Sequence, residues 1–123
     1  MVEGEFLQGL PTVPITLTWK DQHVVLQATL DTGFSGDVHV SKDIAKELSL
    51  TITGYSMATL ASGKSSKIPY AMGIAAMENA GQAIQVHVSN GIPLIGIGFL
   101  SKFGYIATID CKYKKVHLKK HMQ

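Results

Sequence analysis

Asp31, Thr32 and Gly33 are the residues of this 123-residue sequence whose types and order could perform a chemical reaction. They follow an apolar run at residues 24–30 that is rich in β-branched side chains, which predicts a strand ending at the carboxylate. A carboxylate in that place is poorly situated for packing and well situated to face a cleft. Because Asp is seldom fully buried unless it is paired, we expect Asp31 to have a partner.

The chemistry open to Asp31 is the hydrolysis of a peptide bond, provided that a second carboxyl group lies beside it. One carboxyl must be ionised to draw a proton from water, and the other must be protonated to polarise the scissile carbonyl. Neighbouring carboxyls share a proton in this way because two like charges cannot both form cheaply at short distance. The sequence holds a single Asp-Thr-Gly, so we expect a two-fold axis to bring Asp31 of a second copy to the same site.

The elements that must position Asp31 are predicted to be mostly strands, because apolar and polar residues alternate along much of the chain. Ser41 is suited to cap a short helix, and residues 99–103 could form a second helical turn. Small polar residues at positions 61–66 predict the tip of a hairpin whose arms are residues 51–60 and 67–77. The predicted fold is all-β, a closed or strongly coiled barrel with one or two short helices. The other predicted strands are residues 13–19, 37–40, 82–88, 92–96, 105–110 and 116–118.

The composition is that of one globular domain covering residues 1–123, with 46% hydrophobic and 16% charged residues and a formal net charge of +2. All eleven basic residues are Lys, which disfavours nucleic acid as a partner because Arg is the usual reader of bases and phosphates. Cys111 has no second cysteine for an internal disulfide, and neither a membrane span nor a signal peptide is recognisable, so we expect a cytoplasmic protein without a membrane partner. The His residues have no metal-ligand spacing, and no metal or cofactor is expected.

The order of three motifs along the chain resembles that of the retroviral-type, or retropepsin-like, aspartic proteases. Residues 31–36 read Asp-Thr-Gly-Phe-Ser-Gly, a glycine-tipped hairpin follows about thirty residues later, and Leu94, Ile95 and Gly96 follow after about thirty more. In that family the last segment crosses behind the catalytic loop. The resemblance covers nearly the whole chain and looks closest to the small non-viral members. It implies a closed acid-protease barrel that acts as a homodimeric aspartic endopeptidase on peptides or proteins.

The resemblance also implies a role for each matching residue. Asp31 of each chain would activate the water, Thr32 would hydrogen-bond across the dimer axis, and Gly33 would let its amide approach the carboxylate. Ser35 would donate a hydrogen bond to the outer oxygen of Asp31. The residues implied to bind the substrate are those beside the catalytic loop and at the tip of a flap, namely Phe34, Ser35, Ala61, Ser62 and Gly63.

Two departures from the family pattern keep alternatives open. Phe34 is large where many retroviral enzymes carry Ala, and Ile97 and Gly98 replace the polar pair, often Arg-Asp or Arg-Asn, that commonly follows the signature glycine. A dimeric peptide-binding module with the same fold and weak or no catalysis is therefore the main alternative. A structural β-domain in which Asp31 caps its own turn is a further one. The Lys-rich residues 112–120 are typical of a protected edge strand and less so of a nucleic-acid contact.

Overall fold

The computed structural model describes residues 1–59 and 62–121, and these form ten strands and two short helices. The mostly-β fold expected from the alternating sequence is therefore confirmed. Within the described residues, neither helix is long and apolar enough to cross a membrane. The strands are β1 (Val2–Leu7), β2 (Leu10–Trp19), β3 (Gln22–Leu30), β4 (Val38–Val40), β5 (Ile52–Thr59), β6 (Ser65–Met77), β7 (Ala80–Val88), β8 (Leu94–Ile95), β9 (Tyr105–Asp110) and β10 (Lys115–Lys120). The helices are α1 (Lys42–Glu47) and α2 (Ile97–Phe103).

The hairpin of β2 and β3 carries the chain to Asp31. On β2 the side chains of Val13, Ile15 and Leu17 are buried on one face, as the alternation predicts. Burying each aliphatic side chain of this kind contributes about 1.5–3 kcal/mol, which fixes the face that β2 turns to the core. β3 pairs with β2 antiparallel along nearly its whole length and ends in three buried residues. The chain therefore leaves the core at Asp31.

The ten strands form one sheet in the order β5-β6-β7-β4-β8-β3-β2-β1-β10-β9. β6 also pairs with β2, so the sheet folds back on itself. β3 pairs parallel with β8, and β4 pairs parallel with β7 and antiparallel with β8. Phe99 of α2 is fully buried in the core that these strands enclose. The two short strands β4 and β8 are thereby fixed beside the end of β3, where Asp31 follows.

Two elements depart from the expectation drawn from the sequence. α2 begins at Ile97, two residues before the expected helical turn, because the Leu100 amide already donates to the Gly96 carbonyl. β1 was not expected as a strand, because its three outward residues include two Glu and its inward side contains a Gly. That Gly4 lets β1 lie close against β2, since a Cβ atom there would overlap the Thr12 carbonyl oxygen.

Candidate active site

The loop that follows β3 holds the Asp31 carboxylate in place. Gly33 donates its amide hydrogen to Asp31 Oδ1 at 2.9 Å, and the Phe34 amide donates to the Asp31 carbonyl at 3.1 Å. The Asp31 amide donates in turn to the Ile95 carbonyl at 3.0 Å, which ties the loop to β8. Asp31 is partly buried. The chain thus presents a carboxylate that solvent can still reach at the end of a buried strand.

The segment that ends in Gly96 lies directly behind this loop. The Gly96 amide donates to the Asp37 carbonyl at 3.0 Å. A Cβ atom on Gly96 would overlap the Phe34 carbonyl oxygen and lie 2.5 Å from a second backbone oxygen of the loop, so only glycine fits without a shift. Of the two apolar residues before it, Ile95 is fully buried and Leu94 partly buried. The expected contact between residues 94–96 and the Asp31 loop is therefore present.

A cavity of about 870 Å³ opens beside the loop. Its walls are residues 33–36, the facing side of the β5–β6 hairpin, the side chains of His39 and His87, and the turn at residues 89–92. A cavity of this volume lies within the range of ligand sites in proteins. Asp31 is not itself among the residues that form these walls, but its neighbour Gly33, whose amide donates to the Asp31 carboxylate, is.

The residues of the loop that were expected to meet substrate are only partly placed as expected. Phe34 and Ser35 line the cavity. In the part of the chain that the structure describes, the donor to the Asp31 carboxylate is the Gly33 amide, and the expected bond from the Ser35 hydroxyl is not formed. Thr32 is exposed on the loop, so its expected contact across a dimer axis stays a prediction.

The residues expected at the flap tip lie farther from the cavity. Ser62 and Gly63 are exposed at the end of the β5–β6 hairpin, where Gly63 adopts a left-handed φ of 86°. The hairpin lines the cavity through residues of its two strands, among them Ser56 and Met57 of β5, and not through Ser62 or Gly63. Ala61, which the sequence also assigned to the flap tip, lies outside the described residues. A role of this tip in covering substrate stays a prediction.

Two histidines that were not expected at the site from the sequence lie side by side in the cavity wall. Each stands inside a Val-His-Val-Ser motif, at residues 38–41 and 86–89, and the parallel pairing of β4 with β7 sets His39 opposite His87. The flanking valines are buried in the core, so both imidazoles lie on the cavity side. His39 Nε2 lies 2.7 Å from Ser89 Oγ, and His87 Nε2 lies 3.2 Å from Ser56 Oγ. The repeated motif is the sequence signal for this pair, but the strand order is needed to make its two copies neighbours.

The surroundings of His87 perturb the pKa of its imidazole. Burial lowers the pKa of its imidazole below the ordinary value, the Val38 backbone and the Asp37 carboxylate oppose that change, and His39 adds to it. The residue is only 8% exposed, and its ring meets the Phe34 ring edge-on with centroids 5.6 Å apart. The imidazole is therefore mostly neutral in the free protein at neutral pH.

A buried carboxylate braces the far side of the loop. Asp37 is 6% exposed, accepts a hydrogen bond from the Gln85 amide at 2.9 Å and forms an ion pair with Lys102 of α2. Gly98 leaves room for this carboxylate, since a Cβ atom there would overlap Asp37 Oδ1. The ion pair joins the loop to α2, and the hydrogen bond from Gln85 joins the loop to β7. Neither Ile97 nor Gly98, the two residues that follow the signature glycine, takes part in the ion pair.

We expect Lys102→Met to destabilise the protein, because the buried Asp37 carboxylate would lose its ion pair and keep, among the described residues, the backbone amide of Gln85 as its partner. Breaking a fully buried pair costs about 3–5 kcal/mol, but the Lys102 side chain is 43% exposed, so we expect a loss of about 1–2 kcal/mol. Urea unfolding measures this free energy. Adding Asp37→Asn should restore part of the loss by removing the unpaired charge, and Lys119→Met, at an exposed position of β10, should change little. Equal losses for Lys102→Met and Lys119→Met would contradict the bracing role.

No protein-family model matches the sequence, and no curated protein matches it. Among solved structures it is similar to a retropepsin-like aspartic protease from Rickettsia conorii, with 18% sequence identity and a TM-score of 0.61 over 96% of this chain and 88% of that chain. At this level of identity the similarity is one of fold. The chain therefore has the fold of a retropepsin-like aspartic protease.

Proposed function

We propose that this chain is an aspartic endopeptidase, built as a single domain over residues 1–123 that closes into an acid-protease barrel and acts as a homodimer. The observation that carries the proposal is the Asp31 carboxylate, which the Gly33 amide holds at 2.9 Å beside a cavity of about 870 Å³. The fold shared with a retropepsin-like aspartic protease supports it. We further propose that the protein acts in the cytoplasm on peptide or protein substrates and uses no metal or cofactor.

In the proposed mechanism the two Asp31 carboxyls, one from each copy, share one proton and hold a water molecule. The ionised carboxyl takes a proton from that water as the water oxygen attacks the scissile carbonyl carbon, and the protonated carboxyl gives its proton to the carbonyl oxygen. The Gly33 amide engages Oδ1, which leaves Oδ2 for the water. When the tetrahedral diol collapses, the carboxyl that took the proton from water gives it to the amine nitrogen, the other carboxyl takes a proton from one hydroxyl of the diol, and the carbon–nitrogen bond breaks. The pair of carboxyls thereby again holds one shared proton.

A second copy of the chain is needed because the other well-placed aspartates already have hydrogen-bond or ion-pair partners. Asp110 ends β9, but its carboxylate accepts hydrogen bonds from two amides of its own turn, each at 3.0 Å. Asp37 forms the ion pair with Lys102. The second catalytic carboxyl is therefore best supplied by Asp31 of another chain. Thr32 and Ile97 are exposed in the single chain, with Ile97 43% exposed, and a two-fold partner beside the loop would cover them.

We expect sedimentation equilibrium at micromolar concentration to give twice the chain mass of 13.2 kDa. Thr32→Lys should shift the protein to monomers, because it places two like charges beside the axis. Thr53→Lys is the matched control, since Thr53 is exposed on β5 away from the loop and its variant should remain a dimer. A monomer at every concentration would exclude the mechanism. A dimer that binds peptides and cleaves none would favour the peptide-binding module.

A further inference from the structure

One wall of the cavity is formed by two pairs of histidine and serine. His39 pairs with Ser89, and His87 pairs with Ser56 on the facing hairpin. Among the described residues that line the cavity there is no Asp, Glu or Lys, so these two imidazoles are the ionisable groups of the lining. The charge that this wall presents to a ligand is therefore neutral or positive.

Hydrogen bonding fixes the neutral form of His39. Its Nδ1 lies 2.9 Å from the Ile92 carbonyl oxygen, and a carbonyl can only accept, so Nδ1 carries the hydrogen. In the neutral ring Nε2 must then accept, and the Ser89 hydroxyl donates to it at 2.7 Å. In this state the free side of the hydroxyl is a lone pair, which accepts a hydrogen bond from a ligand.

Protonation makes both imidazoles donors to their serines, and at His39 it reverses the direction of the hydrogen bond to Ser89. Both nitrogens of an imidazolium donate, so Nε2 of either histidine then donates to its serine oxygen. The hydroxyl hydrogens of Ser56 and Ser89 are thereby released and can point to a ligand. Protonation of His39 therefore converts Ser89 from an acceptor into a donor, and with both imidazoles protonated the wall offers two hydroxyl donors backed by positive charge.

The groups around His87 determine how readily its imidazole is protonated. Asp37, in the loop before β4, favours the imidazolium of His87, and His39 of β4 disfavours it, while burial lowers the pKa of His87 overall. From β6 the Tyr70 ring packs against it with centroids 6.1 Å apart. The ion pair of Asp37 with Lys102 offsets part of the attraction of Asp37. His87 is thus poised to gain a proton when a ligand supplies a further negative charge.

We propose that this wall is a specificity pocket for an acidic side chain, Asp or Glu, of the substrate close to the cleaved bond. The inference rests on the proposed peptidase function and names the substrate class of that site. A bound carboxylate raises the pKa of His87 by Coulombic attraction, so the complex binds more protons than the free protein. Binding of an acidic peptide is therefore strengthened as pH falls through the raised pKa of His87 in the complex, until a substrate Glu is itself protonated near its usual pKa of about 4.3.

The test measures peptide binding to the protein that carries Asp31→Asn, in which cleavage cannot consume the ligand. A fluorescent library of decapeptides is bound at pH 5.5, and the best sequence is resynthesised with Glu, Gln or Leu at each position. We expect one position at which Glu binds roughly tenfold to a hundredfold more tightly than Gln or Leu, the effect of a charge-assisted hydrogen bond, with a smaller difference at pH 7.5.

Variants in the same background assign this preference to the wall. His87→Leu should abolish the preference for Glu or turn it toward Leu. Ser56→Ala removes one hydroxyl, disturbs the fold less, and should reduce the preference in the same direction. His23→Leu is the matched control, because His23 is exposed on β3 and outside the cavity, and it should leave the preference unchanged.

The outcomes distinguish failure of the acidic pocket from failure of the peptidase. Equal binding of Glu, Gln and Leu peptides, or a Glu preference that both variants retain, overturns the acidic pocket and leaves the peptidase standing. If the variants remove the Glu preference but the unaltered protein does not cleave the same peptides, the pocket is supported and the peptidase is overturned. If no library peptide binds at either pH, both proposals are overturned.

Discussion

Asp31→Asn should abolish peptide cleavage while the fold and the dimer remain. Asn has nearly the shape of Asp and can still accept the Gly33 amide at its oxygen, so the loop keeps its 2.9 Å hydrogen bond. It cannot take a proton from water, and in a homodimer both catalytic groups change together. Removing one member of a set of catalytic groups that act together lowers kcat by about 10⁴-fold or more. The measurement is the rate of hydrolysis of a cleaved library peptide, followed by mass spectrometry.

Asp21→Asn is the matched control, because Asp21 is exposed in the turn between β2 and β3, and it should cleave at the unaltered rate. The unaltered protein should also give a bell-shaped pH profile on the acid side of neutral, since the rate falls when the shared proton is lost and again when both carboxyls hold a proton. Equal rates for Asp31→Asn and the control would remove Asp31 from the mechanism.

Features of the site that depend on neighbours in the sequence could be predicted from it. Ser41 caps α1 by accepting from the Ile44 amide, as expected of a serine before a helical pattern. Local sequence patterns likewise predict the strand before Asp31, the loop that follows it and the hairpin of β5 and β6. In each case the signal is a run of residues whose own conformational preference agrees with the final fold.

Features that join distant parts of the chain could not be predicted in the same way. Asp37 and Lys102 are 65 residues apart, and nothing in either local pattern indicates that a helix will place one against the other. His39 and His87 become neighbours only because β4 inserts between β7 and β8, a topology that alternation does not encode. The Gly33 amide was expected at the Asp31 carboxylate and lies there, because both belong to one tight turn, whereas the expected bond from the Ser35 hydroxyl is not formed in the described chain.

Gly96→Ala should be among the most destabilising single-atom additions in this protein. The added Cβ would overlap the Phe34 carbonyl oxygen and lie 2.5 Å from the Gly36 carbonyl oxygen. These are backbone atoms of a loop that is itself hydrogen-bonded to residues 95–98, so neither side can move without breaking those bonds. Overpacking costs about 1–3 kcal/mol, and each lost hydrogen bond adds about 0.5–1.5 kcal/mol, so we expect a total of about 3 kcal/mol or more.

The same displacement moves Asp31, because its amide donates to the Ile95 carbonyl next to the altered residue. Cleavage by Gly96→Ala should therefore fall even at a temperature where the variant is folded, and urea unfolding with a parallel rate measurement separates the two effects. Gly81→Ala is the control, since a Cβ atom there meets Ile74 at 3.6 Å, an ordinary contact, and its stability should change by about 0.5 kcal/mol or less. If the two variants were equally stable and active, the close contact between the crossing segment and the catalytic loop would not be what positions Asp31.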